Sequence, residues 1–243
     1  GDPAVITEKH FSLSHTAFWH QLLPMTESYI RECNVEAARF ADHFESQAPA
    51  GKRGVINEIS FRLFAATLSA GQPVSQIPPS QVHECVEQGL RHISQMRQVH
   101  RTPVAPPDAT DLAEARELAD RLQGFFTLAK LPALRVFPPF PGCGWLSECC
   151  GDAFSPGVLV EVKAGERTFR GSDIRQLLCY CALNFASKSY DITSICLVNP
   201  RSGRYISAPL EEVVQRLAGR PAVEVLAEVV EYVSEPQGQY LGT

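Results

Sequence analysis

Apolar positions recur with a helical period through the first half of the chain and switch to a period of two near residue 134. Phe18, Leu22, Met25 and Tyr29 share one helical stripe, and Trp19, Leu23 and Ile30 share another, which predicts helix from His15 to about Phe44. Pro24 interrupts that run, so a kink or a junction of two helices is expected there. The first ten residues read as a loose lead-in. VINEISFRLFAATLSAG, 55–71, is a helix closed by Gly71. Two proline-rich connectors, QPVSQIPPS and TPVAPPDAT, bracket a further helix. Val82, Val86, Leu90, Ile93 and Met96 form its core face, and Ser80 is its expected N-cap. Leu112, Ala115, Leu118, Leu122 and Phe125 mark the next helix, with Asp111 and Glu114 as its expected capping box.

Past Leu134 the strands begin. LRVFPPF is a short one, broken by its prolines. GWLSECCGDAF is expected as a second strand, ending near Asp152, and VLVEVKAG as a third. A helix over 172–186 follows, then the apolar strand ITSICLVNP, then RYISAP, then two closing helices. The order helix–strand–strand–strand–helix–strand predicts an α/β fold with a mixed sheet and helices on both faces. Residues 1–107 are expected as an N-terminal helical region, packed as a layer or a lid, and 108–243 as the core.

The third strand carries the chemistry. Side chains alternate along it, so Leu159, Glu161 and Lys163 face one way, opposite to Val158, Val160 and Val162. An acid and a base on one face of a buried strand need a function or a mutual partner. The tight turn at Pro156-Gly157 lets the preceding segment fold back and set Asp152 beside Glu161. Two carboxylates and nearby water suit a hard divalent cation. On the following helix Gln176 and Tyr180 are spaced i, i+4 and share a face, with Asp173 close to it.

Asp152, Glu161-Val162-Lys163 and Gln176-Leu-Leu-Cys-Tyr180 together resemble the PD-(D/E)xK nuclease superfamily, in its RecB-like branch with a Q-x-x-x-Y motif. The resemblance covers roughly 134–206. It implies a restriction-endonuclease-like αβββαβ core and a metal-dependent nuclease acting on DNA, in settings such as recombination, restriction or phage defence. It implies Mg2+ or Mn2+ held by Asp152, Glu161 and the carbonyl of Val162, with Lys163 catalytic. Gln176 and Tyr180 would support the site or contact nucleic acid. Arg167, Arg170 and Arg175 would meet the backbone phosphates. The chain departs from the family pattern at Gly151, where a proline often precedes the first acid. A family glutamate upstream of the sheet has three candidates here, Glu58, Glu114 and Glu117, with a pairing to Arg62 as the alternative role for Glu58.

Composition adjusts this reading. The chain has 243 residues, 22 basic and 27 acidic, for a formal net charge of −5. A free-standing nucleic-acid binder is usually basic. An acidic balance therefore leaves room for a partner-activated or non-catalytic scaffold subunit, with the N-terminal helical region as a docking surface for a protein partner. Lys52 and Arg53 in a loop are an isolated pair that reads as ordinary surface, with phosphate contact as the alternative, and Arg201 and Arg204 around a turn are equally consistent with surface charge or substrate contact. The basic face of His83, Arg91, His92, Arg97 and His100, with Arg101 after it, reads as a solvated face, with contact to a nucleic-acid backbone as the alternative. Eight cysteines lack a C-x-x-C spacing, which argues against structural zinc or an iron–sulfur cluster. His10, His15 and His20 do not share a helical face, so they are not expected to bind metal. No apolar run approaches the ~18 residues of a membrane span, and no leader pattern is read at the start. A cytoplasmic home is the simplest expectation. No Ser-His-Asp set, phosphate-binding Gly-rich loop or dinucleotide fingerprint occurs.

Overall fold

A computed structural model describes residues 5–96 and 105–236. The chain runs α1 (Glu8–Leu13), α2 (Thr16–Leu22), α3 (Thr26–Glu36), β1 (Ala38–Arg39), α4 (Ala50–Ala70), α5 (Pro79–Met96) and α6 (Ala109–Ala129). It continues through β2 (Arg135–Val136), β3 (Pro139–Phe140), β4 (Cys149–Cys150), β5 (Ala153–Ser155) and β6 (Gly157–Val162). It closes with α7 (Gly171–Ser187), β7 (Ile192–Asn199), β8 (Arg204–Pro209), α8 (Leu210–Ala218) and α9 (Ala222–Ser234).

The architecture is α/β, built on a mixed sheet in the order β1-β8-β7-β6-β5-β2. β6 and β7 are parallel and are joined through α7, while the other neighbours are antiparallel. A parallel pair needs such a crossover, which is why a full helix intervenes. Strand alternation divides the core into two layers. Leu159, Ile195 and Leu197 face a cluster with α1–α3 and α7–α9. Ala153, Val160, Cys196 and Val198 face a second cluster with α4–α6. The first 107 residues thus contribute to both layers, for example Phe11 and Trp19 to one and Ile59 and Phe64 to the other. Among the described residues no helix is long and apolar enough to cross a membrane.

Several local expectations are corrected. The helical run from His15 has the expected junction of two helices around Pro24, but it ends at Glu36 and not near Phe44, so that Ala38 and Arg39 can pair with β8. Residues 5–10 are not a loose lead-in. Ile6 bridges Leu146, and Thr7 caps α1 by accepting a hydrogen bond from the His10 N–H. The expected second strand is interrupted. Cys149 and Cys150 pair with Pro139 and Phe140 in a small separate sheet, and Asp152 occupies a bend just before β5. The cap of α6 is Asp108 with Asp111, one turn earlier than Asp111 with Glu114, because Asp108 is the last extended residue. α5 begins at Pro79, where a missing N–H costs nothing, so Ser80 lies inside the helix. Arg97, His100, Arg101 and the residues after Pro236 lie outside the described residues, as does the side chain of Met96.

Candidate active site

The site is built by one hairpin and the helix that follows it. Ser155 pairs with Val158 across the Pro156-Gly157 turn, and Gly157 takes φ +86°, which a residue with a Cβ adopts poorly. The register Ala153↔Val160 then sets Asp152 opposite Glu161. Gly151 precedes the acid for a local reason. Its N–H donates to the Pro138 carbonyl at 3.0 Å, and an added Cβ would stand 3.2 Å from the Phe140 ring. A proline there would lose that bond.

Asp152 Oδ2 accepts the Val162 N–H at 2.7 Å. Lys163 Nζ donates to Glu161 Oε1 at 2.7 Å and to Gln176 Oε1 at 2.7 Å. Gln176 Nε2 donates to the Tyr180 hydroxyl at 2.9 Å. Both residues are buried, and the Tyr180 ring stacks on Phe140 with centroids 5.3 Å apart. The helix therefore holds the lysine from behind. Glu161 Oε2 is buried and has no hydrogen-bond partner among the described residues.

The electrostatics follow from this enclosure. Asp152 is half-buried and its Oδ2 is bonded to the Val162 N–H, while Glu161 is buried. Burial, and then the Glu161 charge, lift the Asp152 carboxyl well above the ordinary range, against Lys163 and the Val162 N–H. Burial also raises the Glu161 carboxyl, with Lys163 opposing. For Lys163 burial disfavours the charge, yet Glu161 and Asp152 outweigh it and hold the amine above the usual lysine range. Burial, with Glu161 and Glu8 behind it, pushes the Tyr180 phenol well up.

Glu8 is the site residue that sequence reasoning missed. Its Oε1 accepts from Gln176 Nε2 and from the Tyr180 hydroxyl, both at 3.3 Å. The three upstream candidates are otherwise engaged. Glu114 is buried and accepts from Arg201 Nη1 at 2.8 Å and Ser46 Oγ at 2.7 Å. Glu117 pairs with Arg121 at 2.8 Å. Glu58 pairs with Arg62 at 2.7 Å but also lies close enough to Asp152 to help raise its carboxyl.

The arginines are disposed unequally. Arg167 is forked onto Asp173 by two bonds of 2.7 and 2.8 Å. Arg175 is half-buried, donates to the Ser12 carbonyl at 3.3 Å and leaves its Nε buried with no partner among the described residues. Burial lowers its guanidinium pKa. Arg170 is exposed at the start of α7. Arg201 is fully buried, so its expected role in surface charge or substrate contact is corrected. It donates to Ala164 O, Glu114 and Asn57, and so fastens the segment after Lys163 to α4 and α6. Asn34 holds the same segment from α3 by exchanging two bonds with the Phe169 backbone. Lys52 is tied to Asp108 and Asp111, and Arg53 to Glu166.

Chemically, the site offers a partnerless carboxylate oxygen, a second carboxylate across the hairpin and a cation that serves both. A cation here would rest on Asp152, Glu161 and the Val162 carbonyl, with water completing its shell. Among the described residues no three His, Cys, Asp or Glu side chains already converge as a cage. No protein-family model and no curated protein matches the chain.

Proposed function

We propose that the chain is a metal-dependent nuclease that hydrolyses phosphodiester bonds in DNA. The observation that carries this reading is the charge inventory of the site. Among the described residues, Asp152 and Glu161, with Glu8 close behind, have Lys163 as the one nearby paired cation, and Glu161 Oε2 has no hydrogen-bond partner. A buried carboxylate without compensation costs several kcal/mol, roughly, unless it takes up a proton or a cation. The raised carboxyl pKa values are the proton's answer. The residues therefore fit Mg2+ or Mn2+ at Asp152, Glu161 and the Val162 carbonyl. Such an ion, when bound, supplies Lewis-acid polarisation of a phosphate oxygen.

The chain's own groups do the rest. Two of the three Lys163 donors are fixed by Glu161 and Gln176, which aims the remaining one at an attacking water or at the charge that develops on the phosphate. Gln176, Tyr180 and Glu8 act through Lys163 by holding its orientation. Arg170 is the arginine of this group left open to meet a backbone phosphate. The order α6-β2-β5-β6-α7-β7, with the acid ahead of β5, E-x-K at the end of β6 and Q-x-x-x-Y on α7, supports the restriction-endonuclease-like reading.

The test is cleavage of linear and circular DNA with magnesium, manganese or EDTA. The expected result is metal-dependent cutting that falls about 10²–10³-fold in Lys163→Ala. A folded wild-type protein that cuts in no metal would overturn an autonomous nuclease. A second reading, a partner-activated or scaffold subunit, is favoured by the withdrawal of Arg167 and Arg175 into internal contacts and by the net charge of −5. In that case a protein partner supplies the affinity for nucleic acid.

A further inference from the structure

β8, the second strand of the sheet, is covered on its outer side for only part of its length. β1 pairs with β8 at Ala38↔Tyr205 and Arg39↔Arg204, and the chain ahead of Ala38 belongs to α3. β8 continues to Pro209. Among the described residues no strand lies beside Ile206, Ser207 and Ala208 on the outer side. In an antiparallel ladder every second residue turns its N–H and C=O away from the inner neighbour, so this stretch offers unpaired main chain.

A cavity of about 440 Å³ opens at the same place. Its floor is apolar, with Ile174 and Leu177 of α7 and Ile195 and Leu197 of β7. α3 and α8 form its walls. Tyr205 lines it too, although its ring packs on the other face, 5.1 Å from the ring of Phe125. The main chain of Tyr205 is already paired with Ala38, so the open edge meets the cavity two residues on, at Ser207, which lines it as well. The open strand edge and the cavity are one feature.

The mouth carries an excess of negative charge. Glu36 and Glu212 are exposed on the rim and make no ion pair among the described residues. Arg216 is engaged by Glu32 and lies over the Tyr29 ring, 4.8 Å from its centroid. Arg204 is farther along, beside β1, and donates to the Ala37 carbonyl.

We propose that this feature is a strand-addition site for an extended segment of a protein partner, one that seats an apolar side chain in the cavity and sets Lys or Arg against Glu36 and Glu212. Strand addition takes affinity from main-chain bonds and specificity from pockets for alternate side chains. A cavity of this size holds one large side chain, at the lower end of the roughly 300–1,000 Å³ of ligand sites. The occupant is independent of the nuclease reading.

The test uses the full chain and end-blocked fluorescent peptides followed by anisotropy. The probes are Lys-Val-Leu-Val-Lys, its counterpart Glu-Val-Leu-Val-Glu, and two forms of the first methylated at alternate main-chain nitrogens in either frame. The basic probe is expected to bind, the acidic one about tenfold or more weakly, and one methylated frame to lose binding. Glu36→Lys with Glu212→Lys, both at exposed positions, is expected to invert the charge preference. No binding of the basic probe up to about 1 mM overturns the proposal. So does equal binding of both methylated frames, which would mark a side-chain hole only, and so does an unchanged preference in the double variant.

Discussion

Lys163 stands at the centre of a chain of hydrogen bonds whose far end is Glu8. The lysine is held by Gln176, Gln176 holds Tyr180, and Glu8 accepts from both. A residue that acts through another in this way sets orientation rather than chemistry, and such outer partners are worth about 10–100-fold in metal affinity or activity. Glu8→Ala is therefore expected to lower cleavage by about that factor while the protein stays folded, since α1 keeps its cap at Thr7 and its anchor at Phe11. Cleavage kinetics with circular dichroism would check it. Full activity in a folded Glu8→Ala protein would remove Glu8 from the site. Asp152, Glu161, Lys163, Gln176 and Tyr180 were legible in the sequence because all lie on one hairpin and the next helix, where alternation and the i, i+4 rule suffice. Glu8 was not, because it lies 168 residues from Gln176 and 172 from Tyr180, and no local period reports such a contact. Arg201 was misread for the same reason, since its partner Glu114 is 87 residues away.

At the scale of elements, α1, whose Glu8 reaches the site, and α2 are held by an aromatic cluster that joins both ends of the described chain. Phe11 packs on Trp19 and Trp145, Phe18 stacks on Tyr232 at 3.8 Å, and His15 stacks on Trp145 at 5.1 Å. His15 Nδ1 also bonds the Tyr232 hydroxyl at 2.8 Å. Burial first, and the His10 charge second, lower the His15 pKa below 6.5. The folded protein therefore binds this proton less readily than the unfolded chain does. The stability linked to His15 is present above about 6.5 and is lost as pH falls through the folded value. Asparagine tolerates the left-handed backbone at φ 52° and still reaches for a hydroxyl. The acid-side loss of melting temperature is expected to shrink in His15→Asn relative to wild type, and Trp fluorescence of the cluster is expected to lose its pH response there. Parallel curves for both proteins would show that His15 does not couple pH to this anchor. The helices themselves were readable from their apolar stripes. Their ends were less so, because Ala38 and Arg39 leave helix for the edge of a sheet whose partner strand, β8, lies far along the chain.

For the whole molecule, the two opposed carboxylates link stability to pH and, under the proposed function, to a divalent cation as well. Asp152 and Glu161 both hold raised pKa values in the folded state, so the folded protein keeps protons that the unfolded chain releases. The sign is then opposite to that of a salt-bridged acid. Stability from these groups is fully present below the ordinary carboxylate value of about 4 and is lost as pH rises through the raised folded values. The raised pKa of Lys163 acts only at the alkaline end, where its stabilisation is lost as pH passes the folded value. Lowered acids such as Glu166 act in the other direction at low pH, so the informative quantity is a difference between variants. Asp152→Asn keeps an oxygen for the Val162 N–H and removes one of the two charges. In EDTA near pH 7 it is expected to melt higher than wild type, by about 2–4 °C for each kcal/mol relieved, with the gap closing as pH falls toward 4. Magnesium is expected to raise the wild-type melting temperature near pH 7, to do so less at pH 5 where protons compete for the same oxygens, and to leave Asp152→Asn nearly unmoved. Thermal scans across pH with magnesium and with EDTA test the whole set without a substrate. If wild type and Asp152→Asn melt together at every pH and neither responds to magnesium, the paired carboxylates are not a cation site, and the proposed nuclease loses its metal whatever the DNA assays give.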